Sequence, residues 1–287
     1  MKRSNKTLIG LALFCLIVPT CIDIALTKAY RLDKVEFNKM LENEALSLDV
    51  EGRFLKRKIT TAFKEVAFEG TAGLYCTVII IPSTTSGYKI QKNYAHQIQE
   101  HITADGKLQL TFTDKKEEAE PLKLYIYSPN AITLRVANVH LQNLKIDTET
   151  LTLQLHNIKG ELNLEEGAAV RKVDVHAVNS DFILYKTAAV DKQAVLKLTL
   201  DSSKVNYNSS LNTLIMSANN SEFGPKLDAR GNPENANLQI NRLELSTLGS
   251  TQIKLGNTLV KEVSGTVSDA TKIDLSVIQL KKLLGTH

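Results

Sequence analysis

Two carboxylates in the second half of the chain, Asp181 and Glu222, are the side chains with the clearest potential for catalysis. A glycosidase places two carboxyl groups on either side of one bond, about 5 to 10 Å apart. If each repeat of this chain forms one coil, the two carboxylates stand two coils apart, at the upper end of that range. Lys204 lies between them and favours the charged form of both, so neither would act as an acid. We therefore expect a structural role, with a polysaccharide-acting β-helix enzyme as the alternative.

Histidines recur in the same part of the chain, and evenly spaced imidazoles can form a metal site. Counted from the turn residue of each repeat, however, His140, His156 and His176 take three different positions, so they should not align. His96 and His101 have no cysteine or carboxylate at ligand spacing. The chain also lacks a phosphate-binding glycine loop, a calcium-loop repeat and a nucleophile turn. We expect neither a metal nor a cofactor.

These residues belong to a repeat that runs from about Thr133 to Val277: apolar residues in alternation, then a small polar turn residue, then another strand. Alternation with period two buries one face of each strand, and Asn, Ser and Gly tolerate the left-handed backbone of a sharp corner. Copies follow one another every 18 to 23 residues, with one longer gap that holds the insertion Gly231–Asn235. A strand repeat of this period predicts a β-solenoid.

The turn residues of the repeat form one series, the turn ladder: Asn138, Asn157, Asn179, Ser202, Asn220 and Gly249. A looser seventh copy starts at Val267. We expect the asparagines to stack and to bond the backbone of the next coil; the alternative is a polar strip that binds glycan.

Two positions after each turn residue lies a second series, the charge column: His140, Lys159, Asp181, Lys204 and Glu222. Equivalent side chains of adjacent coils are about 4.8 Å apart. The alternating sign predicts a ladder of ion pairs, each contributing about 0.2–1 kcal/mol.

The chain starts with a basic stretch and an apolar one. Leu8–Leu26 is just long enough to span a bilayer, so we expect residues 1–27 to be an uncleaved signal anchor with a transmembrane helix. A cleaved signal and a lipoprotein modified at Cys15 or Cys21 are the alternatives. We expect residues 28–57 to be a spacer that can contain a short helix. Cys76 is the one cysteine beyond the apolar segment, so the fold does not depend on an internal disulfide.

Before the repeat, six runs of alternating residues predict strands that enter the stack in antiparallel pairs and cap its first coil. The runs are Ile59–Phe68, Tyr75–Ile81, Tyr88–Gln91, Ile98–Thr103, Leu108–Thr113 and Leu122–Tyr127. Asp105-Gly106, between two of them, is a strong hairpin signal. The expected fold is all-β: a parallel β-helix (β-solenoid) over residues 58–277 that begins with antiparallel strands and follows an N-terminal transmembrane helix. Residues 278–287 would be a C-terminal cap or tail.

The charge balance argues against a nucleic-acid partner. The chain has 35 basic and 31 acidic residues, which become 32 and 30 once Lys2, Arg3, Lys6 and Asp23 of the N-terminal segment are set aside. The remaining excess of positive charge is too small to give the basic surface that a polyanion would bind. Tryptophan is absent, which weakens the case for a sugar-stacking platform.

Several segments resemble one known family. Four stretches precede the repeat in the same order as in that family: Lys58–Gly70, Thr77–Ile81, Asp105–Leu110 and Leu122–Pro129. Together with the repeat they make residues 58–277 similar to the "putative auto-transporter adhesin, head GIN domain" family. Its members are bacterial envelope proteins with an N-terminal signal or membrane segment and no assigned catalytic residues. The repeat here is richer in Leu, Lys and Asn than the Gly, Ser and Asp typical of members.

The resemblance and the architecture together imply a non-enzymatic, adhesin-like head that binds an extended partner, either a polysaccharide or a protein. The expected location is the inner membrane with the head in the periplasm, or alternatively the cell surface. A third interpretation is an envelope sensor. Residues 1–7 are too short for a signalling domain, so a sensor would need a membrane partner.

Overall fold

The computed structural model describes residues 47–49, 52–60, 63–71, 73–113, 121–129, 133–146, 150–164, 171–186, 195–235 and 237–275. The chain divides into two compact units, Met1–Val50 and Glu51–His287. Residues 47–49 of the first unit form a turn in which the Asp49 amide donates to the Ser47 hydroxyl (3.2 Å). The expected anchor (1–27) and the expected C-terminal cap (278–287) lie outside the described residues. Within them, none of the helices has the length and apolar character needed to cross a bilayer.

Most residues in the described part of the second unit lie in strands, and the fold is all-β. The strands are β1 (Phe54–Ile59), β2 (Glu65–Glu69), β3 (Tyr75–Pro82), β4 (Ser86–Gln91), β5 (Ile98–Ile102), β6 (Lys107–Phe112), β7 (Leu122–Ser128), β8 (Thr133–Ala137), β9 (His140–Ile146), β10 (Thr150–His156), β11 (Lys159–Leu164), β12 (Lys172–Val178), β13 (Asp181–Lys186), β14 (Val195–Asp201), β15 (Lys204–Tyr207), β16 (Leu211–Asn219), β17 (Glu222–Pro225), β18 (Gln239–Leu248), β19 (Gln252–Gly256), β20 (Leu259–Thr266) and β21 (Lys272–Leu275). A 3-10 helix, Lys92–Gln97, separates β4 from β5.

The strands form two large mixed sheets. Sheet 1 has eleven strands in the order β1-β4-β7-β3-β9-β11-β13-β15-β17-β19-β21, and sheet 2 has ten in the order β20-β18-β16-β14-β12-β10-β8-β2-β6-β5. From β8 onward the chain alternates between the sheets, and from β10 onward each strand pairs in parallel with the strand two places earlier. Each coil therefore gives one strand to each sheet, which is a solenoid-like stack.

The core lies between the two sheets because alternate residues of every strand point inward. In β12, for example, Val173, Val175 and Ala177 are buried while Lys172 is exposed. Inward side chains from successive coils stack in columns, and together they form one hydrophobic cluster.

The predicted alignment of the first six copies is confirmed residue by residue. Leu134 pairs with Leu153, and the column continues through Val175, Leu198, Met216 and Leu245.

The alignment of the seventh copy is wrong by two residues. Leu245 pairs with Gly265, and Val267 lies beyond β20 with 52% of its surface exposed. The glycine is required because a Cβ at position 265 would lie 1.9 Å from the Leu245 carbonyl oxygen. Because Gly265 has no side chain, the apolar position it occupies is not recognisable in the sequence. The alternating pattern was therefore aligned two residues too late, at Val267.

The start of the stack differs from the prediction in two ways. The run Ile59–Phe68 is two strands, β1 in sheet 1 and β2 in sheet 2, because both Ile59 and Phe63 turn into the core between them. In addition, β2, β3, β6 and β7 are members of the parallel stack. The antiparallel pairs among the described strands at this end are β1-β4, β4-β7 and β5-β6.

Chain order and stacking order also differ in this region. The coil β2–β3 lies between the later coil β6–β7 and the coil β8–β9. The hairpin predicted at Asp105-Gly106 is present between β5 and β6, with Gly106 in the left-handed region at φ +81°.

Candidate functional site

Each coil turns sharply where its sheet 2 strand ends and its sheet 1 strand begins. The turn-ladder residues occupy these corners with positive φ angles: Asn138 at 58°, Asn157 at 53°, Asn179 at 50°, Ser202 at 50°, Asn220 at 48° and Gly249 at 59°. These angles are left-handed, and Asn is the non-glycine residue that accepts them most readily. The corners therefore stack directly above one another.

Backbone hydrogen bonds join successive corners. The amide of Asn157 donates to the carbonyl of Val178 in the next coil (3.0 Å), and that of Asn179 donates to Asp201 (3.0 Å). The asparagine side chains act differently along the ladder. Asn157 Nδ2 donates to Asn138 Oδ1 (2.9 Å), a bond between side chains, whereas Asn220 Oδ1 accepts from the backbone amide of Ser250 (2.9 Å).

A second series of residues at the corner, which sequence analysis missed, is a stack of buried serines: Ser180, Ser203 and Ser221. We call these residues the serine ladder. Each hydroxyl accepts the amide hydrogen of the equivalent residue in the preceding coil, at 3.1 Å, and donates to the carbonyl two residues earlier in its own coil. Ile158 occupies the same position in the preceding coil. The signal was available, because three consecutive turn residues are followed by serine at an inward position.

The charge column is one continuous row of register partners in sheet 1. His140 pairs with Lys159, then Asp181, Lys204 and Glu222 follow, and the row continues into Gln252.

The ion pairs of this row centre on Glu222. Lys204 Nζ lies 3.9 Å from Glu222 Oε1, and Lys254 Nζ, from the next outward position of β19, donates to the same oxygen at 2.6 Å. The shortest contact is thus diagonal and not along the predicted row. The three side chains are 30% to 46% exposed, so each pair contributes at most about 1 kcal/mol.

The turn ladder, the serine ladder and the charge column border one surface groove of about 490 Å³, which we call the corner groove. It is open to solvent and its lining is entirely polar: Asn179, Ser180, Asp181, Ser202, Ser203, Lys204, Asn220, Ser221, Glu222, Ser250 and Gln252. The groove crosses four coils, so polar or charged side chains recur about every 4.8 Å along it. Such a surface can form repeated hydrogen bonds with an elongated polar molecule.

Both candidate carboxylates line the corner groove, and Lys204 lies between them in the register. Glu222 is engaged by two lysine ammonium groups.

The histidines lie apart from one another. His140 packs against Tyr75 in sheet 1, with ring centroids 4.4 Å apart. His156 and His176 lie in two different columns of sheet 2, and His176 Nε2 is 3.2 Å from Asp174 Oδ1. Across the part of the chain that the structure describes, no three His, Cys, Asp or Glu residues are grouped to hold a metal ion.

The insertion in the repeat forms a braced loop between β17 and β18. Glu234 accepts from Asn208 (3.1 Å) and pairs with Lys226 (3.1 Å), whose ammonium also contacts the Tyr185 hydroxyl. These hydrogen bonds, first to Tyr185 and then to Glu234, raise the pKa of Lys226. Asp228 Oδ1 accepts two backbone amides of the loop. A smaller cavity of about 230 Å³ lies beside it.

Burial raises the pKa values of several side chains, among them one cysteine and one tyrosine of the core. Burial raises the pKa of the Cys76 thiol to about 12, so this cysteine is not a nucleophile at neutral pH. Burial also raises the pKa of Tyr207 to about 12, against a smaller opposing effect of its hydrogen bond with Thr258 (2.7 Å).

Comparisons with known proteins give distant likenesses. No protein-family model matches the chain, so the resemblance to the GIN family stays a prediction, and no curated protein matches it either. A "putative adhesin" from Parabacteroides distasonis ATCC 8503 is similar in structure, with 11% identity, a TM-score of 0.46, and coverage of 78% of this chain and 98% of that chain. A "putative adhesin" from Bacteroides fragilis NCTC 9343 has 16% identity and a TM-score of 0.37, with coverage of 78% and 98%. A "putative lipid binding protein" from Parabacteroides distasonis ATCC 8503 has 11% identity and a TM-score of 0.38, with coverage of 78% and 96%.

Proposed function

We propose that this chain is a non-enzymatic cell-envelope protein with a β-solenoid head that binds an extended partner, a polysaccharide in the first instance, along the corner groove. The observation that carries the proposal is the groove itself: an open surface, lined by polar residues, that repeats across four coils. An enclosed pocket favours a small ligand, whereas a repeated open surface favours a polymer that contacts several coils at once.

The spacing of the coils supports an elongated ligand. Four coils span about 14 Å, at about 4.8 Å per step. Hydrogen bonds at each step are individually weak, but a polymer that makes them together gains affinity through effective concentration. Affinity should therefore rise with the length of the ligand. The buried serines hold the backbone, while Lys204, at 46% exposure, is available at the surface of the groove.

Co-sedimentation with insoluble peptidoglycan tests this proposal, with soluble glycan strands as competitors. We expect long strands to displace the protein at a lower sugar concentration than the disaccharide unit does. Lys204→Ala should weaken binding about tenfold, because a charged hydrogen bond contributes about 1.5 kcal/mol.

Lys197→Ala is the matched control. Its side chain has 44% exposure, close to that of Lys204, but it lies on the outer face of sheet 2, away from the groove. Equal losses in the two variants, or equal competition by disaccharide and long strands, would refute the groove as the binding surface.

A polysaccharide-acting enzyme is the second candidate, and the observation in its favour is that Asp181 and Glu222 line the same groove. Asp181→Asn combined with Glu222→Gln separates the two functions. Loss of measurable release of reducing ends, with binding retained, would establish the enzyme. If the protein only binds, the unmodified chain releases no reducing ends.

Residues 1–27 supply the proposed anchor. Their basic start and apolar stretch fit an inner-membrane anchor with the head in the periplasm, and export of the head to the cell surface is the alternative. An envelope sensor would have the same location and would in addition need a membrane partner.

A further inference from the structure

The C-terminal end of the stack is formed by β20 in sheet 2 and β21 in sheet 1, the last strands in their sheet orders. Each pairs on one side only, β20 with β18 and β21 with β19. Among the described residues, no strand covers their outer edges. An open parallel edge of this kind offers unpaired backbone groups to other chains.

The core columns are uncovered at the same end. Val263 continues the column of Leu243, yet Val263 is 37% exposed and Leu243 is fully buried. Likewise, Ile273 continues the column of Ile253. Ile273 is 39% exposed, whereas Ile253 is fully buried. The register places both side chains on the inward face of their strands. They are exposed because no further coil covers them among the described residues.

The opposite end of the stack is closed. There β1 and β5 add antiparallel edge strands, and the 3-10 helix Lys92–Gln97 places Tyr94 in the core with 1% exposure. Lys56, Arg57 and Lys58 lie on the edge strand β1, where charge opposes pairing with another chain. The fold therefore needs a cover at the C-terminal end that the described residues do not supply.

We infer that residues 276–287 of the same chain cover this end by packing an apolar face on Val263 and Ile273. The segment follows directly from Leu275, at the rim of the uncovered surface. Four of its five large apolar residues share one side at helical spacing: Val277, Leu280, Leu283 and Leu284. Its twelve residues are enough to cross from β21 to β20 in either a helical or an extended conformation, since packed sheets are about 10 Å apart.

A second copy of the chain is the competing occupant, because two uncovered ends could pack together. The tethered segment has the advantage, because attachment at Leu275 holds it near the surface at a high effective concentration. The two occupants differ in how they respond to dilution.

Hydrogen exchange measured by mass spectrometry tests the inference on the full-length chain. Leu280→Asp with Leu284→Asp should speed exchange in residues 259–275 at least tenfold and leave residues 195–219 unchanged. A chain ending at Leu275 should behave in the same way. Gln279→Asp with Lys282→Asp, on the polar side of the segment, is the matched control and should leave exchange unchanged.

Two results would overturn the inference. One is unchanged protection of residues 259–275 in both the double aspartate variant and the shortened chain. The other is protection in the unmodified chain that falls on tenfold dilution, which would identify a second copy as the cover.

Discussion

At the corners of the stack, two neighbouring residues have different structural roles. The turn-ladder residue takes the left-handed backbone, and in three consecutive coils the following serine satisfies a buried amide of the coil before it. The first requirement concerns backbone conformation and the second concerns a hydrogen bond. Substitutions can therefore separate them.

Ser203→Ala should destabilise the protein by about 1–3 kcal/mol, because the buried Ser180 amide loses its acceptor. Urea-induced unfolding measures the free-energy change. Ser217→Ala is the control, since Ser217 is exposed on the outer face of β16, and it should change stability by less than about 0.5 kcal/mol. Equal effects would mean that the serine ladder contributes nothing specific.

Asn179→Gly should leave stability nearly unchanged, whereas Asn179→Val should cost about 1–2 kcal/mol, because a β-branched residue is strained at φ +50°. Thermal unfolding of the two variants measures the difference. If both variants unfold at the same temperature, left-handed strain is not what selects the turn residues.

The raised pKa of Tyr207 predicts that the protein loses stability at alkaline pH. Burial raises its pKa to about 12, above the usual value of about 10, so folding favours the neutral phenol. The stabilisation is complete below about pH 10 and is lost as the pH rises towards about 12. Tyr207→Phe lacks this loss but also lacks the bond to Thr258, so it should be less stable at about pH 8 and more stable at about pH 12. Urea unfolding at the two pH values measures both; an unchanged order would contradict the assignment.

Two glycines, Gly160 and Gly265, lie where the backbone of a neighbouring strand leaves no room for a side chain. Gly160 of β11 has φ +125°, and a Cβ there would lie 2.1 Å from the Leu141 carbonyl oxygen of β9. The two strands pair through only Lys159 and Gly160 in the described register, so a side chain at position 160 would disturb half of these pairs.

Gly160→Ala should therefore cost about 3 kcal/mol or more in the free energy of unfolding. Gly231→Ala is the matched control, because Gly231 also has positive φ (+80°), but a Cβ there would meet no atom within 4 Å beyond its chain neighbours. It should cost only about 1–2 kcal/mol of backbone strain. Denaturant titration compares the two variants, and equal losses would show that close approach of β9 and β11 is not limiting.

Strand periodicity was enough to predict the elements whose pattern is regular. Leu153, Val175 and Leu198 align as predicted because each strand alternates without interruption. The alignment failed at Gly265, where close approach removes the apolar side chain that marks the column. Stacking order was not predictable, since the pattern of β6 and β7 does not specify which coil they lie beside.

The corner groove was predictable only in part. Residue spacing placed Asp181, Lys204 and Glu222 in one row, as the register has them. The diagonal contact of Lys254 with Glu222 depends on side-chain reach across strands, which spacing along the chain does not encode.

On the scale of the molecule, three parts bear on the proposed function: a basic and apolar N-terminal segment, a stack closed at its first end by antiparallel strands, and a polar groove repeated over four coils. A polymer-binding groove serves an envelope protein only if the head is exported. Export is therefore the claim on which the proposed function depends.

The most direct test of that claim is protease treatment of cells that carry the full chain with a tag after His287. We predict that the tag survives in intact cells and is lost once the outer membrane is permeabilised, while a cytoplasmic marker stays intact. Loss from intact cells would place the head on the cell surface, the other exported location. A tag that resists protease until the inner membrane is lysed would contradict export of the head.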